Sequence, residues 1–242
     1  MAETLVKSEI QFLEGPQSRW QEFKFTVKVL FEFIKGFRAL HFAGPCVTVF
    51  GSARFEDGHP YYEVTEQLAG RIAQLGFTIM TGGGPGIMEA ANKGAKAVGG
   101  RSMGCNIVLP MEQQPNAYLD KWVRIRYFFI RKTLLIKYSY AFVVMPGGFG
   151  TLDEYFEALT LIQTGKISRF PIVIFDKAFH RELLEHIELM KTKGTISADD
   201  SNFFLVTDSV EEAVAYIQQN SVVKYNLKAE KPYKPFRWLM EG

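Results

Sequence analysis

Hydrophobic residues recur with two different periods along this chain, and the change of period divides it near residue 45. Trp20, Phe23, Val27, Leu30, Ile34, Phe37 and His41 follow one another at steps of three and four, the spacing of one face of a long helix. Phe25, Phe31 and Phe33 widen that surface beyond one stripe, while Lys24, Lys28, Glu32, Lys35 and Arg38 take the remaining positions. The helix is expected first to pack on its own domain, second to carry an oligomer contact, and only third to lie on a membrane surface. Its acidic residues and the absence of a polybasic cluster weigh against the last.

From Val47 onward short β-rich runs alternate with helical patterns. Strands are expected at Val47 to Gly51, Phe77 to Thr81, Gly104 to Leu109, Trp122 to Tyr127, Ala141 to Met145, Pro171 to Phe175 and Phe203 to Val206. Helices are expected at Tyr61 to Leu75, Ile87 to Val98, from Ile130, at Leu152 to Gln163, Ala178 to Lys191 and Val210 to Gln219. This alternation predicts an α/β chain: a Rossmann-like, doubly wound parallel sheet with an N-terminal helical extension. The expected division is residues 1–45 for the extension, 46–220 for a nucleotide-binding catalytic domain and 221–242 for an extended C-terminal arm. Ligands of such sheets bind beyond the carboxyl ends of the strands, where loops open onto helix N-termini.

Composition narrows the function classes. The 242 residues carry 28 Lys plus Arg against 26 Asp plus Glu, a net +2, which argues against an electrostatic nucleic-acid clamp. A hydrophobic fraction of 47% with 22% charged residues is that of a globular chain. The length suits one large domain with an appendage. Cys46 and Cys105 form no Cys-x-x-Cys and stand in apolar runs, so buried thiols are expected rather than a disulfide or a zinc site. The four histidines, His41, His59, His180 and His186, show no metal-hydrolase spacing. The start MAETLVKSEI does not read as a secretory signal, and the apolar runs fall far short of a membrane span, so a cytoplasmic protein is expected.

Two glycine-rich strand-to-helix turns carry the chemistry. In TGGGPGIMEAANKGA, Gly82, Gly83, Gly84 and Gly86 precede a helix. Glycines let backbone amides approach an anion, and the helix N-terminus adds partial positive charge. Neither the dinucleotide fingerprint nor a P-loop is matched. The second turn, MPGGFGTLDEYFEALT, sets Gly147, Gly148 and Gly150 before another helix. Thr151 and Glu154 have capping-box spacing, a purely structural alternative for Glu154, and Ser209 with Glu212 has the same spacing before the last helix. Between the turns, FFIRKTLL places Arg131 and Lys132 at a helix opening, where cations are disfavoured unless an anionic partner is near. Arg54, in VFGSARF, falls at the same sheet edge. Two glycine turns expected on neighbouring strand ends, with three cations around the same rim, point to a nucleotide-like anion.

These residues resemble a known family. PGGFGTLDE fits the Pro-Gly-Gly-x-Gly-Thr-x-x-Glu motif of the LOG (Lonely guy) family, and with Arg131-Lys132 and GGGPGIMEAAN the resemblance spans about Val47 to Gln219. It implies a phosphoribohydrolase that cleaves a purine nucleoside 5′-monophosphate, such as a cytokinin riboside monophosphate or AMP, into free base and ribose 5-phosphate. Many members carry an older label, lysine decarboxylase, that their chemistry does not support. The long N-terminal helix and the Gly-Pro-Gly-Ile-Met-Glu turn look more like the longer bacterial members than the short plant enzymes.

Carried over by position, the resemblance implies Arg131 and Glu154 as catalytic residues. It implies Gly147, Gly148, Gly150 and Thr151 as the phosphate-binding backbone, with Gly83, Gly84 and Met88 on the other side. Lys132 and Thr160 should also reach the nucleotide, Ser52 and Arg54 join the binding set, and Glu112 or Asn116 should contact the base or sugar. No metal or redox cofactor is implied. The expected partners are the nucleoside monophosphate substrate and further copies of the chain, as a homodimer or larger, with no nucleic acid and no membrane. Cleavage of an N-glycosidic bond passes through an oxocarbenium-like sugar, which a carboxylate can stabilise while it orients or deprotonates water. Glu154 suits that role; Arg131, charged at any relevant pH, either stabilises the departing base or fixes the nucleotide. The rival reading is a non-catalytic nucleotide or molybdenum-cofactor carrier on the same sheet. An amino-acid decarboxylase would need a pyridoxal phosphate lysine setting that no region offers convincingly.

Overall fold

The computed structural model describes residues 10, 13–109 and 114–223. Glu112 and the expected C-terminal arm beyond residue 223 lie outside the described residues. In chain order the elements are α1 (Arg19–Leu40), β1 (Cys46–Phe50), α2 (Pro60–Gln74), β2 (Thr78–Thr81), α3 (Ile87–Ala97), β3 (Ser102–Ile107), β4 (Lys121–Ile125), α4 (Phe128–Tyr138), β5 (Ser139–Val144), α5 (Phe149–Gln163), β6 (Ile172–Phe175), α6 (Arg181–Thr192), β7 (Phe204–Thr207) and α7 (Val210–Ile217).

All strand pairs are parallel, in the order β4-β3-β2-β1-β5-β6-β7. The side chains explain why both faces are covered. Along β1, Val47 and Val49 face one apolar layer with Leu68 and Ile72 of α2, Ile87 and Ala91 of α3, and Val214 of α7. Cys46 and Phe50 face the other, with Leu40 of α1, Leu134 of α4, Tyr155 of α5 and Ile187 of α6. Alternation along a strand sends successive side chains to opposite faces, so a strand apolar at every position can be buried on both. The chain runs outward from β1 to β4, then returns to the other side of β1 as β5, so the strand order reverses between β1 and β5. The carboxyl ends of these two strands form the topological switch point. There Ser52 N donates to Pro146 O (3.0 Å) and Met145 N to Phe50 O (2.8 Å), tying the two loops together.

Several expectations are corrected. In α1 the row Trp20, Phe23, Leu30, Ile34 and Phe37 faces outward. The buried face is instead Glu32, Gly36 and Leu40, flanked by Phe25, Val29 and Phe33. Both rows have helical spacing, and the inner one is disguised because it contains a carboxylate and a glycine. The two glycine turns are not on neighbouring strands: β1 lies between β2 and β5. Helix α5 begins at Phe149, three residues before the expected Leu152, because Gly148 serves as its N-cap. Helix α6 begins three residues later than expected, after a turn in which Asp176 takes φ 77°. Both cysteines are buried free thiols, as anticipated.

Candidate functional site

Thr151 and Glu154 do not form the capping box their spacing allows. With Gly148 at the N-cap, Thr151 already lies inside the helix, its N–H donating to Gly148 O (3.0 Å), and no side chain caps this end. At α7 the same spacing does cap: Glu212 N donates to Ser209 Oγ at 3.2 Å. The Glu212 carboxylate, however, takes the Thr207 hydroxyl rather than closing the box. Glu154 is therefore released from a capping role, and one turn into α5 its side chain is buried.

Its partner comes from α4. Arg131 N closes the first turn of that helix on Tyr127 O (3.1 Å), and its side chain crosses to β3, where Nε donates to Cys105 O at 3.0 Å. Nη1 then stands 3.8 Å from Glu154 Oε1, with the two side chains 15% and 3% exposed. Gly82 makes room for this: a Cβ there would lie 2.6 Å from Arg131 Nη2 and 2.7 Å from Met88 Sδ. Burial pushes the Glu154 carboxyl up to about 7, and the Arg131 guanidinium is the main force opposing the rise. Its Oε2 is buried without a hydrogen-bond partner among the described residues. A buried carboxyl poised near neutrality beside a fixed cation is the arrangement from which acid–base and cation-stabilising chemistry is built.

The glycine turns flank this pair, and they are built differently. Thr81 Oγ1 donates to Asn92 Oδ1 (2.7 Å) and accepts from Gly83 N (2.9 Å), so the Gly83 amide is committed inward. Asn116 holds the turn from outside, N to Gly83 O and Nδ2 to Gly84 O, each 3.0 Å, and reaches Asn92 as well. Its place is thus a brace of the first turn. Gly86 is the N-cap of α3 with φ 69° and no side-chain cap. The second turn is open, with Gly148 and Gly150 exposed and Thr151 buried against Gly147. The two uncapped helix N-termini, of α3 after β2 and of α5 after β5, offer backbone N–H groups and positive dipole ends to an anion.

The remaining expected residues divide. Ser52 lies at the switch point, and its Oγ accepts from Arg54 N (3.2 Å) while the Arg54 side chain is exposed. Met88 sits against Gly82. Lys132 finds its anions within the protein, Asp153 at 3.0 Å and Glu157 at 3.1 Å. Burial acts to lower the Lys132 pKa, but these two bonds outweigh it and hold the pKa above the ordinary value. Thr160 is exposed farther along α5 and bonds Phe156 O (2.8 Å). Four participants escaped the sequence reading: the Cys105 carbonyl, Thr81, Asn92 and the Asp153–Glu157 pair. Asn92 alone had a signal, an amide on the apolar face of α3 between Ala91 and Ala95.

A seven-stranded parallel sheet with helices on both faces, a buried Arg–Glu pair and glycine turns after β2 and β5 defines a Rossmann-like α/β protein. Within that class, the family described as "Possible lysine decarboxylase" matches residues 88–217, more than half of the chain. The chain belongs to this family, the LOG family. It is similar to the cytokinin riboside 5′-monophosphate phosphoribohydrolase of Rhodococcoides fascians, 28% identical over 178 residues, covering 71% of this chain and 88% of that protein. It is similar also to the protein of that name in Mycobacterium tuberculosis, 30% identical over 155 residues, 63% of this chain and 82% of the relative. Among solved structures, the molybdenum cofactor binding protein of Rippkaea orientalis superposes with a TM-score of 0.53 at 23% identity, covering 73% of this chain and 96% of that one. The Moco carrier protein of Chlamydomonas reinhardtii does so at 0.53 and 22%, covering 75% and 99%. At these identities the structural likeness establishes the fold.

Proposed function

We propose that the protein hydrolyses the N-glycosidic bond of a purine nucleoside 5′-monophosphate, releasing free base and ribose 5-phosphate. One observation carries the reading: Glu154, buried and poised near pH 7, faces Arg131 beside the uncapped N-termini of α3 and α5. The 5′-phosphate suits the open turn at Gly147, Gly148 and Gly150, which would set C1′ of the sugar toward Glu154. As the C1′–N9 bond breaks, its electron pair leaves with the base. Ionised Glu154 stabilises the oxocarbenium charge and accepts a proton from the water that bonds to C1′; the departing base takes up a proton from solvent, and Glu154 returns its own to solvent, so that the water is the net reactant. Arg131 supplies fixed positive charge either to the departing base or to the nucleotide's orientation. The similarity to named phosphoribohydrolases supports the same class and leaves adenine and cytokinin-type bases both in the test.

The test is incubation with AMP, a cytokinin riboside monophosphate and the matching nucleosides, without added metal, followed by chromatography for free base. Release from the monophosphates and little from the nucleosides is expected, since remote phosphate binding energy is what lowers the barrier. Binding of a monophosphate with no cleavage would replace this reading with a carrier. Assembly into a homodimer or larger belongs to the same proposal, supported by the exposed row Trp20, Phe23, Leu30 and Phe31 on a well-formed helix; light scattering tests it.

A further inference from the structure

Helix α1 lies outside the matched residues 88–217, yet it reaches the turn that launches the Arg131 helix. Glu32 is the charged side chain that α1 buries, at 6% exposure. Its Oε2 accepts Arg126 N at 3.0 Å, and its Oε1 lies 3.4 Å from Arg126 Nε and 3.7 Å from Lys35 Nζ. Lys35 in turn donates to the Arg124 carbonyl. Next along the chain, the Tyr127 ring meets Phe25 of α1 edge-on at 5.0 Å, and its carbonyl accepts the Arg131 N–H. Farther along, Gly36 brings α1 so close to α4 that a Cβ would stand 2.4 Å from a Leu134 methyl.

A buried carboxylate is costly unless its charge and lone pairs are met, and an apolar residue at position 32 would seal the layer with less penalty. What the carboxylate does, and a hydrophobe could not, is accept an N–H just past the end of β4. Among the described residues that strand is at the sheet edge. We propose that Glu32 is a positioning residue for Arg131: by holding the Arg126 N–H and guanidinium it fixes the β4–α4 turn, and so the depth at which Arg131 enters between Cys105, Gly82 and Glu154. Its effect on catalysis rests on the reading of Arg131 and Glu154 as the reacting pair.

The test compares wild type, Glu32→Gln and Glu32→Ala by kcat and KM for AMP, and by carbon NMR titration of the Glu154 carboxyl in the ligand-free protein. Gln keeps an acceptor for the Arg126 N–H and should behave like wild type. Ala removes it, and kcat should fall roughly 10- to 100-fold with KM within about threefold, the pattern of a displaced reacting group. The Glu154 titration should also move upward. Its charged and titratable surroundings are Arg131 and Lys132 on α4, Asp153 and Glu157 on α5 and Cys105 on β3, and Arg131 is the strongest of the influences that lower it. Should Glu32→Ala not fold, Glu32→Met fills the volume and gives the same readout; if neither folds, Glu32 serves the fold rather than Arg131 and the proposal fails. A Glu154 titration left where the wild type has it overturns the proposal whatever the activity. If the wild type cleaves no nucleotide but the titration still moves, the positioning stands and the catalytic reading falls.

Discussion

Replacing Glu154 by Gln should remove activity while making the protein more stable in alkaline solution, and the size of the gain follows from burial. In the folded chain burial pushes the carboxyl up to about 7, against an ordinary value of 4.5. A carboxyl whose pKa is raised by folding binds its proton more tightly in the native state. Stability from this group is therefore complete below about pH 4.5 and is lost as the pH rises toward 7, beyond which the loss is constant. The gap between 4.5 and about 7, at about 1.4 kcal/mol for each tenfold in proton affinity, amounts to about 3 kcal/mol. Gln has no proton to lose, so the stability of Glu154→Gln relative to wild type should rise by about 3 kcal/mol between pH 4.5 and pH 8. Any fixed offset, such as Arg131 facing an amide, is common to both pH values and cancels. With a urea slope of about 2–3 kcal/mol per molar, the difference in unfolding midpoints should change by ~1 M between the two conditions. Equilibrium urea unfolding of both proteins at pH 4.5 and 8 reads this directly. A difference that stays constant between the two pH values would refute the account of a desolvated carboxyl, and with it the physical basis for the catalytic assignment.

The rate of base release should rise as the pH increases through about 7 and then level, because the ionised form of Glu154 does the work; a flat profile from pH 5 to 9 would remove Glu154 from that role. Gly82→Ala should lower kcat roughly tenfold or more by displacing the guanidinium, since the atoms nearest the new methyl belong to the Arg131 and Met88 side chains; retention of full activity would show that Arg131 is placed otherwise. Lys132→Met takes away a cation that lowers the Glu154 pKa, so the acid limb of the pH–rate profile should shift to higher pH, and an unshifted limb in an active variant would contradict this electrostatic coupling.

Much of the architecture was legible in the order of residues. The alternation of β-rich runs and helical patterns after Val47 determines a parallel sheet covered on both faces, because period and strand length are properties of a few neighbouring residues. The glycine turns and the Arg131 and Glu154 positions were visible for the same reason, as local motifs. What depended on distant parts of the chain was not. The outward row of α1 and its inward row share one helical period, and only docking onto α4 and β4 selects the row containing Glu32 and Gly36. Thr151 and Glu154 could have closed a capping box, but Gly148 starts α5 earlier and frees the carboxylate. Three strands separated by long stretches of sequence bring Cys105, Gly82 and the α5 turn to one edge. The Glu154 pKa is then set by how much water the surrounding layers exclude and how near they hold Arg131. Residue order determines which local shapes and charges are available; desolvation and the distances between charges arise only when remote segments pack, and those two quantities convert a glutamate in a helix into a group that titrates near neutrality.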